Sequence, residues 1–326
     1  MTSLQTWLRE LGVGRLLYRT LYRPGETVAL AQAHGLRLVC QARYGDWSMR
    51  RASLCLPVSA ALDQNRFPGT ICFLTGAKFI HHTLFCAHSF ATHTGIHTPF
   101  EFLSDGSLNE DHTRALHRLF PSAIVRHKEE LDRAVLAALP PERFPVLHAT
   151  RGKFVLLKKL TDAMAGQSGY RLFLDSDMLF WRRPQELLDR VHAGAPLYMR
   201  DIVDNGYTIS AAELGQSLGT PVALGVNSGL IGLDAGRLDW NLLERACAYI
   251  ENSIGNQRLL EQTLWAVALG KQDAKPLDER AYKVLVAPKD FSPVVADAAS
   301  LLHYAWYSRL VYSAADWRRY LASLSK

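Results

Sequence analysis

Nowhere does the sequence carry the roughly 18 consecutive apolar residues that a membrane-spanning helix needs, so no transmembrane segment is expected. Its start lacks the charged end and apolar block of a secretory signal, because arginines flank short apolar runs on both sides. The 5 cysteines (Cys40, Cys55, Cys72, Cys86 and Cys247) never fall into CxxC spacing. That argues against a disulfide framework and for reduced thiols in a cytoplasmic protein. No dense Lys/Arg run and no helix, finger or aromatic-platform pattern of nucleic-acid readers is present, so no nucleic-acid partner is expected. Repeats and low-complexity tracts are also missing. The formal charge of +6 is left to favour acidic partners, and the phosphates of a small ligand fit it best.

What remains is ordinary globular composition, 48% hydrophobic and 21% charged over 326 residues, enough for one large domain or two modest ones. Residues 1–69 read as an amino-terminal extension. Leu4, Trp7, Leu8, Leu11, Tyr18, Leu21 and Tyr22 recur at helical spacing with Arg9, Arg15, Arg19 and Arg23 between them. Such a basic amphipathic segment, over residues 1–23, either packs on the main domain or rests on the inner face of an anionic membrane. Beyond Pro24 the pattern is irregular as far as the turn signal Phe67-Pro68-Gly69.

Residues 70–326 read as the main domain. Strand patterns at 71–74, 100–103, 123–125 and 171–174 alternate with helical patterns at 78–93, 111–120, 129–139 and 151–165. Strands alternating with helices imply βαβ units, hence an α/β fold with a mostly parallel Rossmann-type sheet flanked by helices. Ligands of such sheets sit beyond the carboxyl ends of the strands. Thr75-Gly76, Asp105-Gly106 and Asp175-Ser176-Asp177 are expected together at that edge.

The last of these carries the chemistry. Two carboxylates one residue apart at the end of an apolar strand repel unless a cation joins them. Hard oxygen ligands suit Mn²⁺ or Mg²⁺, which keep open positions for substrate phosphates. The motif lies between Leu172-Phe173-Leu174 and Met178-Leu179-Phe180, where a solvated charge run would lack apolar flanks.

Residues 172–180, followed by Arg182-Arg183-Pro184, resemble the DxD region of GT-A-fold glycosyltransferases, in particular the glycogenin and lipopolysaccharide galactosyltransferase group. Further matches follow in the same chain order. Lys159-Leu160, at the end of the expected helix 151–165, stands where that group places a basic residue. Val226-Asn227-Ser228-Gly229-Leu230-Ile231 resembles its Asn-Ser-Gly strand, and Glu261-Gln262-Thr263-Leu264 its Asp-Gln-x-Leu helix start. Leu302-His303-Tyr304-Ala305 with Arg309 resembles its carboxy-terminal His and basic residue. The likeness covers roughly residues 70–310.

The resemblance implies transfer of a sugar from a nucleotide-diphosphate donor, a UDP-sugar first of all, to an acceptor (saccharide, lipid or protein) that the sequence does not name. It implies a metal site of Asp175, Asp177 and His303. Donor contacts would come from Thr75, Gly76, Asp105, Lys159, Asp175, Ser176, Asn227, Ser228, Gly229 and Arg309. Gln262, Asn227 and Asp201 would stand at the reacting centre. Lys159 and Arg309 would neutralise diphosphate charge, and Asn227 would bind sugar hydroxyls while Gly229 lets the backbone come close. Ordinary alternatives stand beside these roles: a core histidine, surface cations, a turn at Asn227, a turn cap at Asp105. The sequence departs from the pattern in two places. Glu261 replaces the usual Asp, and a polar and aromatic stretch, residues 200–207, fills a wide gap after the DxD. That stretch is expected to face the acceptor through Asp201 or Asp204.

Three other readings compete. A haloacid-dehalogenase-type phosphatase has a DxD after an apolar strand, but near the chain start and with a Thr or Val where Leu179 stands. A nucleotidyltransferase would open with a Gly-rich phosphate loop, for which Thr75-Gly76-Ala77-Lys78 is too sparse. A binding module without catalysis would take the donor and not turn it over.

Overall fold

In the computed structural model, residues 23–58, 63–253 and 257–324 are described. The amphipathic segment over residues 1–23 lies outside them except for Arg23. Twelve strands follow in chain order: β1 Asp63–Arg66, β2 Thr70–Thr75, β3 Ile96–His97, β4 Phe100–Ser104, β5 Ile124–Arg126, β6 Tyr170–Leu174, β7 Met178–Phe180, β8 Leu197–Arg200, β9 Val226–Asp234, β10 Lys275–Pro276, β11 Tyr282–Leu285 and β12 Leu301–Tyr304. Seven form the central sheet in the order β10-β8-β9-β6-β2-β4-β5. All its pairings are parallel except those of β9, which runs antiparallel to both neighbours. This is the mixed α/β architecture, mostly parallel and flanked by helices, that the alternation of apolar runs implies.

The central strands are largely apolar because both sheet faces are covered, and their buried charges, Glu101 and Arg171, pair with each other. Phe73, Phe100, Phe102, Leu172 and Leu174 enter one core, while Cys72, Leu103, Phe173 and Ile231 enter the other. Successive side chains of a strand point to opposite faces, so one register feeds both cores and a one-residue slip would exchange them. Pairing of Thr75 with Ser104, and of Ile71 with Leu172, brings the carboxyl ends of β2, β4 and β6 to one edge.

A second sheet, β11-β12-β7, stands beside that edge. Residues 175–177 are the whole connection between β6 of the large sheet and β7 of the small one. The antiparallel pairing of β12 with β7 sets His303 opposite Met178, next to the two aspartates. The DxD therefore sits at the junction of two sheets.

Two expectations are corrected. The chain beyond Pro24 is helical, over Arg23–His34 and Leu36–Ser53, and not irregular. The second helix buries Val39, Ala42, Gly45, Met49 and Ser53 and packs on the carboxy-terminal turn Tyr312–Asp316, where Gly45 lies against Ser313. Small residues make up most of that face and four arginines interrupt the segment, which hides its helical period from a hydrophobic count. The expected single helix 151–165 breaks in the middle. It is a helix Pro145–Lys153, a 3-10 turn Val155–Leu157 and a helix Lys158–Met164, with Phe154 extended between the first two. Gly152 weakens the end of the first helix. Lys159 consequently opens a short helix instead of closing a long one.

Candidate active site

Asp175 and Asp177 are each met by a cation. Lys159 Nζ lies 2.7 and 2.8 Å from the carboxylate oxygens of Asp175. Arg309 Nε lies 2.6 Å from Asp177 Oδ2. Burial by itself would raise the Asp177 carboxyl, but Arg309 and His303 hold it far below the ordinary carboxylate range. Burial likewise works against charge on Lys159, and Asp175 with Glu261 more than offsets it, so its pKa is raised.

His303 completes the cluster. Its Nε2 is 3.3 Å from Asp177 Oδ1 and 4.0 Å from Asp175 Oδ2. Its Nδ1 is 3.0 Å from Asn227 Oδ1, which also accepts the backbone N–H of Gly229 at 3.0 Å. With that oxygen an acceptor, Nδ1 donates to Asn227, which orients the ring and points Nε2 toward the aspartates. Gly229 has to be glycine for this approach. A Cβ there would stand 2.5 Å from His303 Cε1 and 2.7 Å from Met178 Cε. The donor set of two carboxylates and one oriented imidazole fits a divalent cation such as Mn²⁺ or Mg²⁺.

Two clefts meet at this cluster. One, of about 420 Å³, runs along the edge of the large sheet past Thr75, Gly76, Phe79, Asp105 and Ser176. Gly76 is required here too, because a Cβ would stand about 2.1 Å from the Asp105 carboxylate. Asp105 Oδ1 accepts from Ser107 N at 2.9 Å, as a turn-capping Asp does, yet its carboxylate lines the cleft. The hydroxyls of Thr75 and Ser176 are joined through Thr83, at 2.6 and 2.8 Å, so they brace the floor.

The other cleft, of about 470 Å³, contains Asp201, Asn227, Ser228, Glu261, Gln262, His303 and Trp306. Lys159, Asp175, Arg309 and Leu156 line both. The Gln262 amide donates to Asp201 Oδ2 at 3.2 Å and to Gly206 O at 2.9 Å, which leaves its Oε1 uncommitted. Asp204 pairs instead with Arg200, 2.7 Å away, and is not among the lining residues.

Lining residues not singled out as site residues in the sequence include Phe79, Leu156, Glu261 and Trp306. Glu261 is the most unusual chemically. Burial pushes its carboxyl up to about 7, with the help of Asp175 and against the pull of Lys159, Ser228 and Trp265. Its place before Gln262 in the matched helix start was the available signal.

No family model matches the chain, and no curated protein matches it. Solved structures similar to it are glycosyltransferases at low identity. The LgtC galactosyltransferase, with donor and acceptor sugar analogs, is 16% identical with a TM-score of 0.47, over 77% of this chain and 99% of that one. Mouse xyloside xylosyltransferase 1 is 14% identical with a TM-score of 0.45, over 73% and 97%. Core-mannan synthase A from Aspergillus fumigatus, in a Mn/GDP form, is 11% identical with a TM-score of 0.44, over 68% and 78%.

Proposed function

We propose that the chain transfers a sugar from a nucleotide-diphosphate donor, a UDP-sugar in the first instance, to an acceptor hydroxyl, with a divalent cation held by Asp175, Asp177 and His303. The observation that carries the proposal is the meeting of two clefts at one charged cluster. A nucleoside fits along the sheet edge, with Phe79 beside its base and the Asp105 carboxylate open to ribose hydroxyls. A diphosphate then reaches the cluster, and the sugar enters the second cleft.

When bound, the cation would neutralise diphosphate charge and act as a Lewis acid toward the leaving group. With both carboxylates engaged in that way, Lys159 and Arg309 are freed to meet the phosphate oxygens, where charge grows as the sugar departs. Asn227 and Gln262 divide the sugar contacts. The Asn227 Oδ1 is committed to His303 and Gly229, so its amide N–H groups are the ones to donate. The Gln262 N–H groups are committed to Asp201 and Gly206, so its Oε1 is the one to accept. Glu261, buried beside Lys159 and lining the second cleft, is placed to meet a sugar hydroxyl.

The test is release of nucleoside diphosphate from a panel of UDP- and GDP-sugars with Mn²⁺, with and without excess chelator. Turnover that the chelator stops supports the reading. Undiminished turnover in chelator, or none with any donor, ends it.

A further inference from the structure

Polar side chains ordinarily cover a loop and apolar ones turn inward. Residues 201–205 depart from this rule at two positions. Asp201 accepts from Ile202 N and from Gln262, Asp204 pairs with Arg200, and Asn205 accepts from Ala211 N. These polar groups already have protein partners, and between them Ile202 and Val203 stand 61% and 52% exposed. Both line the sugar-side cleft.

Trp306 lines the same cleft and is 66% exposed. Its φ is 53°, in the left-handed region, which for a bulky side chain is strained. Its neighbours hold it there. Ala305 N donates to Leu285 O at 2.9 Å, and Tyr307 N and Ser308 N donate to Val286 O at 3.1 and 3.2 Å. A strained, exposed tryptophan does little for the fold. Strain of this kind gathers at ligand sites, where the surroundings maintain it.

The floor of the cleft is charged and amide-rich, whereas its mouth carries Ile202, Val203 and Trp306. We propose that this mouth is an aglycone subsite, and that the acceptor is an amphipathic glycoside whose sugar lies on the polar floor and whose alkyl or aryl substituent lies on the apolar rim. The inference rests on the transferase reading above and specifies its acceptor class. A free sugar would leave the rim in water. An apolar substituent removes it from water and takes its own surface with it.

The experiment compares methyl hexosides with the matching n-octyl hexosides (gluco, galacto and manno), all below micellar concentration. Binding is measured by calorimetry on the full chain with UDP and Mn²⁺. The octyl member of a pair should bind about tenfold tighter or more. The double variant Ile202→Ser/Val203→Ser, and separately Trp306→Ala, should bring that ratio to about twofold or less. Equal binding of both members by the wild type, or an unchanged ratio in the variants, overturns the subsite. Trp306→Gly supplies a second measurement, since it relieves the backbone and should raise the melting temperature by roughly 2 °C. A lower melting temperature would assign the tryptophan to the fold and overturn the proposal. Failure of the transferase reading looks different: the octyl preference would persist in a protein that turns over no nucleotide sugar.

Discussion

Among the described residues, two groups of carboxylate and imidazole bring their ligand atoms within 4.8 Å of one another: Asp175 with Asp177 and His303, and Asp46 with His81 and His82. What separates them is everything around the donor atoms. In the first, Asn227 fixes the His303 ring from behind and the cluster opens into two clefts. The donor residues of the second line neither of these clefts, and Asp46 is held there by His81 at 2.8 Å and Arg50 at 3.1 Å. There His82 stacks on Tyr312 with ring centroids 5.0 Å apart, and neither of its ring nitrogens has a partner. Ligand-type residues in proximity do not define a metal centre. An imidazole oriented by its other nitrogen, and room for a substrate, do.

The sharpest break in this comparison is expected at Asp177. Asp177→Ala should lower donor turnover by about a thousandfold or more, because it removes a metal ligand and leaves Arg309 unpaired. Asp46→Asn should leave turnover within about twofold, as expected for a residue that touches no reacting group. Mn²⁺ titration followed by electron paramagnetic resonance should give one tight site in wild type and in the Asp46 variant, and none in Asp177→Ala. Two tight sites in wild type would erase the distinction.

A smaller effect separates the two partners of Asp177. Arg309→Ala removes a cation from the place where leaving-group charge develops, so kcat should fall about a hundredfold, on the order of 3 kcal/mol, and extra metal should not restore it. His303→Ala should weaken metal affinity, and raised Mn²⁺ should recover part of the rate. Asn227→Ala acts one step further out. Freed from its Nδ1 partner, the imidazole should bind metal about 10- to 100-fold more weakly. Rate against Mn²⁺ concentration distinguishes the three, and near-wild-type curves for all of them would end the assignment.

The sequence made some parts of this site legible and hid others for identifiable reasons. Asp175 and Asp177 stood out because charge between two apolar runs is costly. His303 and Asn227 were named individually, but their hydrogen bond joins residues 76 positions apart and leaves no local trace. Lys159 was named as a residue but misplaced in its helix, since the break at Phe154 depends on tertiary packing that overrides helical composition. Glu261 appeared only as a departure from a pattern. Its raised pKa comes from burial, which sequence spacing does not report. Trp306 was missed altogether, because a positive φ is readable from glycine or asparagine and not from tryptophan. The parallel sheet was the easiest part, since short strand patterns, largely apolar, alternate with helical ones along residues 70–174.

The smallest effect belongs to the second cluster, and it is one of stability, not catalysis. His82 is buried against Phe79 and Tyr312, with His81, Asp46, Asp177 and Arg309 as the charged or titratable groups acting on it. Burial lowers its pKa to about 3, His81 adds to that, and the pull of Asp46 and Asp177 does not reverse it. A histidine with a depressed folded pKa is neutral in the native state and takes up its proton mainly on unfolding. Its contribution is therefore whole above the unfolded value near 6.5, and is lost as pH falls from there toward about 3. In that window each pH unit costs about 1.4 kcal/mol for each proton the unfolded chain takes up. His81 is shifted in the same direction and adds to the slope, whereas the depressed carboxyl of Asp46 matters only below its unfolded value near 3.8. His82→Phe keeps an aromatic ring for the stack and removes one of these protons. Urea unfolding between pH 7 and pH 4.5 should then show a shallower loss of stability in the variant than in wild type, with donor turnover at pH 7 within about twofold. Equal slopes would mean that His82 is already charged when folded, and that the second cluster resembles the first more closely than its surroundings suggest.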